Sequence, residues 1–391
     1  MLDKIESAAA KLFDKITASG GHHLTPVAVL QINGQPFGTL TMSRIISVQL
    51  ADNRGFEADE LTLELADHDG HVSIPPQDSL IRCWLGYKET GVVDKGVYKM
   101  SEFTHSGSPD KLSITARAAD LSDTLAQQED KSWHKTTVYA IADTIAKKHG
   151  YPAKISDIYK DAAIAHIDQT GESDASFLTR LAQDYDAIAT IKNGTLLFMP
   201  QGQAQTAGGQ PMPPLRISRQ SGDSHSFTYS STDAYNAVRA YYTEPRTGKK
   251  AEVLINADNI VPAKTTQTTK RGKTKTIKTT QAISADGLKI KTLRHLYASK
   301  TTAENGARAA YKRIKRGAAE FKINLAQGRP DVSPETPVTV AGFKVEIDAE
   351  KWLIKRITHT LNDGGYTAAL ELEALLDLDK SAAETEKAPA A

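Results

Sequence analysis

The fold of this chain of 391 residues is decided by two stretches, YKMSEFTH at residues 98–105 and WLIKRITH at residues 352–359. Both fit the pattern aromatic-x-[Met/Ile]-x-x-[Phe/Ile]-Thr-His. An alternating apolar strand begins seven positions after each histidine. The matched apolar positions are Leu112/Tyr366, Ile114/Ala368, Ala116/Leu370 and Ala118/Leu372. Upstream, Gly86 and Gly342 occupy corresponding places. The correspondence predicts a duplicated β unit within one chain.

The two histidines that end these stretches, His105 and His359, are candidate functional residues. A catalytic role would have to be duplicated, which is unusual for an active site. We therefore interpret both as structural, with each imidazole bridging backbone groups of a turn at a strand end. Gly86 and Gly342 are interpreted in the same way, as structural positions of the repeat.

Alternation and spacing divide the chain into segments. A period of two predicts antiparallel strands in 21–120 and again in 215–378. Residues 121–200 mix helical spacing with short strands and predict an α/β insert, and the composition of 201–214 is that of a linker. The predicted fold class is α+β and mainly β, with two similar antiparallel β-barrel-like domains and the insert between them.

Several local signals place turns and helix ends. Asn33-Gly34 between apolar runs predicts a tight hairpin turn. Ser173 is placed to cap a helix in the insert. Thr301 followed by Glu304 has the spacing of a capping box and predicts the start of another helix.

The two ends of the chain differ from the rest. Residues 1–20 predict an amphipathic helix, because Leu2, Ile5, Phe13 and Ile16 fall on one stripe. That stripe either lies on its own domain or contacts a neighbouring subunit. The last segment, 379–391, is rich in Ala, Glu and Pro, and we expect it to be disordered.

Residues 262–281 contain six basic residues, eight threonines and no acidic residue. Such a stretch cannot bury a core, so we expect a mobile loop. The candidate partner contacts within it are Lys270, Arg271, Lys273 and Lys275. They would touch DNA passing through a channel or an acidic protein surface, unless the segment is simply solvated.

Composition excludes several classes of protein. The chain has 48 Lys and Arg against 47 Asp and Glu, and this near-zero net charge gives no global attraction to nucleic acid or anionic lipid. The single cysteine, Cys83, excludes an intrachain disulfide and a cysteine-rich zinc site. We expect no membrane-spanning segment, and Asp3, Glu6 and Asp14 interrupt any secretory signal.

Motifs of catalysis and ligand binding are weak or missing. Gly272-Lys273-Thr274 lacks the earlier glycine of a phosphate-binding loop, since Gln267 stands there. Asp67 to His71 alternates acids and imidazoles, but it is more typical of a turn between strands than of an EF-hand. The sequence also contains no Gly-x-Ser-x-Gly or His-Glu-x-x-His motif. We predict no catalytic residue, no cofactor and no metal site.

The duplication has a consequence for assembly. Three such chains in a closed ring would present 3 × 2 = 6 similar β units around a pseudo-sixfold axis, while the other elements would keep threefold symmetry. An assembly of this kind can join a sixfold tube to a threefold partner.

Four stretches of this sequence resemble the phage late control gene D family, the tail hub of contractile-tailed phages. They are ADELTLELAD within 51–67, SWHKTTVYAIADTIAKKHG at 132–150, GESDASFLTRLAQDYDAIATIKNGTLLFMP at 171–200 and VTVAGFKVEIDAEKWLIKRITHTLNDGGYTAALELE at 338–373. The resemblance runs from about residue 25 to residue 375, and the sequence is also similar to the hub part of type VI secretion VgrG spikes.

The resemblance implies a function and a set of partners. It implies a homotrimeric baseplate hub between the tail tube and the central spike, with the tape-measure protein ending nearby. Such a protein is made in the host cytoplasm and works in the virion tail. A pyocin-like particle or a type VI-like injection machine is an alternative setting. A cell-wall hydrolase on the tail tip and a DNA-binding regulator are alternative functions of other classes.

Overall fold

The computed structural model describes the chain in eight stretches, residues 24–56, 59–119, 123–192, 194–204, 210–230, 235–244, 247–268 and 274–375. The predicted helix at 1–20, with Leu2, Ile5, Phe13 and Ile16, and the predicted disordered tail at 379–391 lie outside these residues. Side chains are described throughout these stretches apart from residues 223, 263–268 and 274–279.

The described residues are mainly strands. The strands are β1 Pro26–Ile32, β2 Gln35–Pro36, β3 Ile45–Asn53, β4 Glu60–Ala66, β5 Leu80–Tyr87, β6 Gly91–Ser106, β7 Lys111–Ala118, β8 Gln128–Thr137, β9 Ala153–Ile155, β10 Ala163–Ser173, β11 Ala187–Lys192, β12 Thr195–Pro200, β13 Leu215–Ser218, β14 Gly222–Tyr229, β15 Ala237–Thr243, β16 Lys250–Asn256, β17 Ala263–Thr268, β18 Thr274–Thr279, β19 Ile290–Tyr297, β20 Ala319–Leu325, β21 Pro337–Ala341, β22 Trp352–Asn362 and β23 Gly365–Ala374. The α-helices are α1 Thr39–Ser43, α2 Val138–Lys148, α3 Asp174–Asp184, α4 Lys300–Arg316 and α5 Val345–Asp348.

One large sheet of 13 strands runs through both predicted repeats, in the order β14–β20–β23–β22–β3–β4–β7–β6–β5–β1–β2, with β21 beside β22 and β13 beside β21. All its pairs are antiparallel except β13 with β21. Among the described strands the hydrogen-bonded order is open, with β14 at one end and β2 at the other. The predicted fold class, mainly β with two similar antiparallel units, is confirmed.

The two units share one strand order. We call β1 and β3–β7 the first unit, and β13, β14 and β20–β23 the second unit. Across the sheet the first unit reads β1–β5–β6–β7–β4–β3 and the second reads β13–β21–β22–β23–β20–β14. Matched strands also follow the same chain order. The units differ in one direction, because β1 is antiparallel to β5 whereas β13 is parallel to β21.

The repeated motif has a structural counterpart in a shared β-bulge. The register shifts between Met100 and Glu102 in β6, and between Ile354 and Arg356 in β22. These are the same positions of the two copies of the pattern. A bulge bends a strand and re-aims its remaining residues. At this point β22 passes from β21 to β3, whereas β6 leaves β5 and gains no new neighbour among the described strands. The hairpin ends differ, since a four-residue turn at 107–110 follows β6 and a two-residue turn at 363–364 follows β22.

Alternation in the strands builds one core in each unit. The first core gathers Leu50, Leu63, Ile81, Leu85 and Ile114 among its buried side chains. The second is centred on Trp352, Phe321, Ile323, Ile357 and Leu370. Fully burying side chains of this size contributes about 1.5–3 kcal/mol each, so each unit has a substantial core of its own.

Two further cores lie outside the repeated units. In the insert, α2 packs on β8 and β9 and α3 packs on β11, and residues such as Ile141 and Phe177 belong to one shared core. Between β14 and β20, helix α4 packs on β15, β16 and β19 through Tyr311 and Ala307. The capping-box spacing at Thr301 and Glu304 predicted a helix here, but not that this helix builds a core of its own with β15, β16 and β19. The predicted domain boundaries themselves stay predictions.

Hairpin and helix signals are largely confirmed. Asn33 and Gly34 have positive φ angles of 48° and 79° and join β1 to β2 in a two-residue turn. The hydroxyl of Ser173 accepts a hydrogen bond from the Ser176 amide and caps α3. The predicted start of α4 at Thr301 is wrong by two residues. Ser299 is the N-cap, because its hydroxyl already accepts from the Thr302 amide.

Replacing Ser173 by alanine is expected to lower the stability of α3 by about 1 kcal/mol, because one amide of the first turn loses its acceptor. Hydrogen exchange of the α3 amides measures the change. The matched control is Ser156→Ala, at an N-cap whose side chain makes no capping hydrogen bond. Equal losses in the two variants would contradict the capping role.

The basic segment 262–281 is not the predicted loop. Its backbone forms a hairpin, with β17 antiparallel to β18 and Gln267 opposite Lys275. The loop was predicted because the segment cannot bury a core. Its β-branched threonines nevertheless favour extended backbone, and the two strands pair with each other. Lys270, Arg271 and Lys273 lie outside the described residues.

Candidate functional site: the joint between the two units

The two units join edge to edge through β3 and β22. Their antiparallel ladder runs from Asn53 opposite Arg356 to Ser47 opposite Asn362, with Leu50 opposite His359. On the same edge, before the bulge, β22 pairs with β21 of its own unit. The bulge therefore separates the part of β22 that completes its own unit from the part that binds the other one. Any function that requires the two units in a fixed relative position would depend on this joint.

Aromatic side chains pack against one another at the joint between β3 and β22. The Tyr366 hydroxyl lies 2.9 Å from His359 Nδ1, and its ring centroid lies 5.4 Å from that of Tyr87. The Tyr87 hydroxyl donates to the Gly328 carbonyl at 3.0 Å. A Cβ atom on Gly328 would lie 2.6 Å from the Tyr366 ring, so only glycine allows this approach. Tyr366 belongs to the second unit but packs in the core of the first.

His359 is buried as a neutral ring. Burial lowers its pKa well below the usual value, and the positive charge of Lys95 lowers it further. Its Nε2 atom has no hydrogen-bond partner among the described residues. With Nδ1 facing the Tyr366 hydroxyl, the natural arrangement is an Nδ1 that accepts the hydrogen bond and a buried Nε2–H. Protonating this ring would place a charge inside the joint.

A buried ion network links the first unit to the second. Arg54, which follows β3, makes ion pairs of 2.6 Å with Glu335 and of 2.6 Å with Glu373. Both carboxylates belong to the second unit. Burial raises the pKa of Glu335, and the charge of Arg54 opposes that rise. The amide of Gly202 also donates to Glu335 at 2.9 Å, which ties the linker to the same point.

The network continues into α4 and the insert. The Arg316 guanidinium is buried, donates to both carboxylate oxygens of Asp186, and lies 3.5 Å from Glu373. Lys312 lies 3.3 Å from Asp186 on the exposed side. Burial acts to lower the pKa of Arg316, but the hydrogen bonds and charge of Asp186 hold it above its usual value. One connected set of charges therefore touches both units, the insert and α4.

A second cluster fixes the insert to the first unit. Lys192 at the end of β11 lies 2.8 Å from Asp52 and also contacts Asp59. Burial and the neighbouring charge of Asp52 raise the pKa of Asp59 to about 6, against the effect of Lys192. The two carboxylates share one ammonium, which supports a tight attachment of the insert beside β3.

The structure separates the two histidines of the repeat. His105 is exposed, and its Nε2 lies 3.5 Å from the Asp67 carboxylate, whereas His359 is fully buried against Tyr366. The prediction that both rings bridge turn backbone is wrong for His359, whose hydrogen bond goes to a side chain, and the polar contact of His105 is a carboxylate. Burial differs because His359 has a strand of the other unit beside it.

The two glycines of the repeat also serve different purposes. Gly86 lies inside β5, where a Cβ atom would stand 2.2 Å from the Gly91 carbonyl oxygen across the hairpin. Gly342 follows β21 with a positive φ of 87°, and its backbone turns there. One position needs close approach and the other needs a left-handed conformation. No single structural role unites the pair.

The residues of the ion network were not predicted from the sequence. Arg54, Asp186, Arg316, Glu335 and Glu373 come from distant points of the chain, so no local spacing connects them. The available signal was weak. By the alternation of β23 Glu373 falls on the outward face, yet it is buried, where a charge calls for a partner.

The candidate ligand motif at Asp67 to His71 is engaged within the protein, whereas Gly272 and Lys273 lie outside the described residues. In the turn after β4, the Asp69 carboxylate pairs with Arg44, and Asp67 accepts from the Val72 amide at 2.9 Å. Among the described residues, no group of three or more His, Cys, Asp or Glu is arranged to hold a metal ion. Within those same stretches of chain, every helix is too short or too polar to cross a bilayer.

Comparison with known proteins gives one consistent result. The model of the family described as phage tail baseplate hub (GPD) matches residues 47–365. The probable baseplate hub protein of Escherichia phage 186 is 38% identical over 373 residues, covering 92% of this chain and 96% of that protein. The corresponding protein of Escherichia phage P2 is 37% identical over 376 residues, covering 93% and 97%.

Solved structures share the fold at low identity. A 43 kDa tail protein of prophage MuSo2 from Shewanella oneidensis gives a TM-score of 0.59 at 15% identity, covering 91% of this chain and 99% of that one. An Escherichia coli component of the type VI secretion system, itself described as similar to the T4 tail proteins gp27 and gp5, gives 0.53 at 12% identity and covers 89% and 77%. The predicted resemblance is confirmed: the chain belongs to the phage tail baseplate hub family and is a structural component of the virion tail rather than an enzyme.

Proposed function

We propose that the chain forms a homotrimeric ring that adapts the sixfold tail tube to the threefold central spike. The observation that carries this proposal is the pair of units with one strand order, joined edge to edge within one chain. Three copies bring 3 × 2 = 6 units together, and repeating one kind of joint around the ring gives pseudo-sixfold symmetry.

The unrepeated elements set the other symmetry. The insert with α2 and α3 occurs once per chain, and so does the segment between β14 and β20 that contains α4. A trimer therefore carries three of each. A ring of six similar units therefore has a sixfold face and threefold features. Charges at the joint hold these elements in fixed positions on the units, which a symmetry adaptor requires.

Closing the ring also solves a problem of exposed strands. Open strand edges invite aggregation, and pairing them within a ring removes that hazard. A permanent interface of this kind buries on the order of 2,000 Å² or more for each pair of subunits.

The proposed partners follow from this geometry. They are the tail tube protein, the central spike protein and the tape-measure protein, with DNA passing through the lumen without sequence-specific binding. The near-zero net charge agrees with passage rather than with tight DNA binding. We propose assembly in the host cytoplasm. A pyocin-like particle or a type VI-like machine would use the same geometry, but the phage 186 and P2 relatives favour a phage tail.

Imaging of tail tips that contain this chain tests the proposal. We expect three copies in a ring, with six β units facing the tube and threefold density on the spike side. The measurement is electron cryomicroscopy of the tips, with light scattering of the purified protein alongside it. A protein that stays monomeric both alone and in the presence of tube and spike proteins would contradict the trimer.

A further inference from the structure

Among the described strands of the large sheet, the outer edges of β1, β2 and β13 are unpaired, and so are two further edges, one on each unit. The first is the end of β6 from Glu102 to Ser106, because β5 accompanies β6 only as far as Lys99. The second is β14, which pairs with β20 on one side only. Six strands of the same sheet, β20, β23, β22, β3, β4 and β7, lie between these edges, and the two edges are not paired with each other within the chain.

These edges are the counterparts of the two edges that form the internal joint. The end of β6 matches the end of β22, since both follow the bulge of the repeated motif. Likewise β14 matches β3, since each is the last strand in the shared order of its unit. The chain thus contains one joint of the β3–β22 kind and also the separated halves of a second one.

We propose that β14 of one copy pairs antiparallel with the end of β6 of a second copy. The inference rests on the proposed trimer and specifies how it closes. Three internal joints would alternate with three joints between copies. The occupant of each open edge is then another copy of this chain, because the partner strand that fits by analogy is one that the chain itself carries.

The register follows from the rows of facing residues. In the first unit Leu65 faces Leu112, which faces His105. In the second unit Leu325 faces Ala368, which faces His359. Leu65 and Leu325 therefore occupy matching rows.

The match extends four residues along β4 and β20, to Leu61 and Phe321. Leu61 faces Leu50 and Phe321 faces Phe227, so Phe227 is the counterpart of Leu50. Inside the chain Leu50 faces His359. Between copies, Phe227 should face His105.

Side-chain exposure supports this register independently. Phe103 lies two positions before His105 and is 41% exposed, and Tyr229 lies two positions after Phe227 and is 67% exposed. The register places these two exposed aromatic rings directly opposite each other, a favourable cross-strand pair. The internal counterpart of Phe103 is Ile357, which is fully buried. Phe103 is exposed because the strand that would cover it belongs to another molecule.

Disulfide trapping in assembled tails tests the register. Thr104 and Thr228 would face each other between copies, and both are exposed in the single chain. Facing positions on antiparallel strands have Cα atoms about 4.5–5.5 Å apart, within disulfide range. The native thiol, Cys83, is buried, so it does not compete. After mild oxidation of tails carrying Thr104→Cys and Thr228→Cys, we expect linked dimers and trimers of the chain on a non-reducing denaturing gel.

The control is a pair off the register. In Thr104→Cys with Ser224→Cys, the second cysteine lies four residues along β14, about 13 Å away. We expect only monomers from this variant, with at least a tenfold lower yield of linked chains. Equal linking of both pairs would overturn the register, and linking to a different tail protein would overturn the choice of occupant.

The outcome also distinguishes this inference from the trimer itself. Tails with three copies of the chain but no 104–228 link would overturn the edge pairing and leave the proposed function standing. Fewer than three copies would overturn both. If the double variant does not assemble, hydrogen exchange on the unmodified protein decides. Amides of 102–106 and 222–229 should exchange at least tenfold more slowly in tails than in the isolated chain, and unchanged rates would overturn the proposal.

Discussion

Replacing Arg316 by methionine is expected to destabilise the protein by about 3–5 kcal/mol, which is the usual effect of removing one partner from a buried ion pair. The guanidinium is the only group in the described network that contacts both Asp186 of the insert and Glu373 of the second unit. Methionine fills much of the same volume, so the effect reports lost charge rather than a cavity. Denaturant unfolding, followed by the fluorescence of the three tryptophans, of which Trp352 is fully buried, measures it.

The matched control for this prediction is an exposed ion pair in the same protein. Arg82 pairs with Asp94 on the surface, where both side chains are more than one-third exposed. Removing an exposed pair costs about 0–1 kcal/mol, because water screens it before and after. The loss of unfolding free energy in Arg82→Met should therefore be much smaller than the loss in Arg316→Met. Similar losses of unfolding free energy in the two variants would mean that the buried ion network does not stabilise the contacts between the two units, the insert and α4.

These two arginines mark a limit of prediction from the sequence. Both are charged residues near apolar strands or helix ends, and no local spacing separates the buried one from the exposed one. Burial is decided by which distant segments meet, as when Arg316 reaches Asp186 across 130 positions of the chain. The ion pairs that join the two units, the insert and α4 therefore could not be predicted, although they help to fix the relative positions of these parts.

Strand patterns were more informative, because burial alternates locally. Leu61, Leu63 and Leu65 are fully buried in β4 as their spacing predicts. The repeated motif also carried more than an element type. Its shared bulge and the shared strand order show that a short pattern of eight residues marked equivalent places in two units. The pattern did not indicate the partner of each strand after the bulge.

The joint itself illustrates that limit. Ile357 and Phe103 occupy one position of the pattern, yet the first is buried and the second is exposed. The sequence treats them alike because the pattern describes the strand and not its neighbour. Only the ladder between β3 and β22 shows which copy of the motif is already paired within the chain.

Mild acid is expected to weaken the joint through His359. Its pKa in the folded protein lies well below the usual value of 6.5, because the ring is buried. Below pH 6.5 the unfolded chain therefore binds a proton that the folded chain does not. Folding stability then falls by about 1.4 kcal/mol for each pH unit as the pH drops, until the folded pKa is reached.

The variant His359→Gln isolates this contribution, since an amide can still accept from the Tyr366 hydroxyl but does not titrate. The free energy of unfolding is measured for both proteins between pH 7 and pH 5. The advantage of the native chain over the variant should shrink as the pH falls across that range. Other groups, including Asp59 with its pKa raised to about 6, titrate in both proteins and cancel in the difference.

A second variant separates the ring from its hydrogen bond. Tyr366→Phe removes the hydroxyl that contacts Nδ1 but keeps His359 buried, so its stability should fall at every pH while the acid dependence of the native chain persists. A His359→Gln variant with the same acid dependence as the native chain would show that the imidazole does not titrate on unfolding. His359 faces Leu50 in the ladder that joins β22 to β3. Acid therefore destabilises the protein at the contact between the first unit and the second.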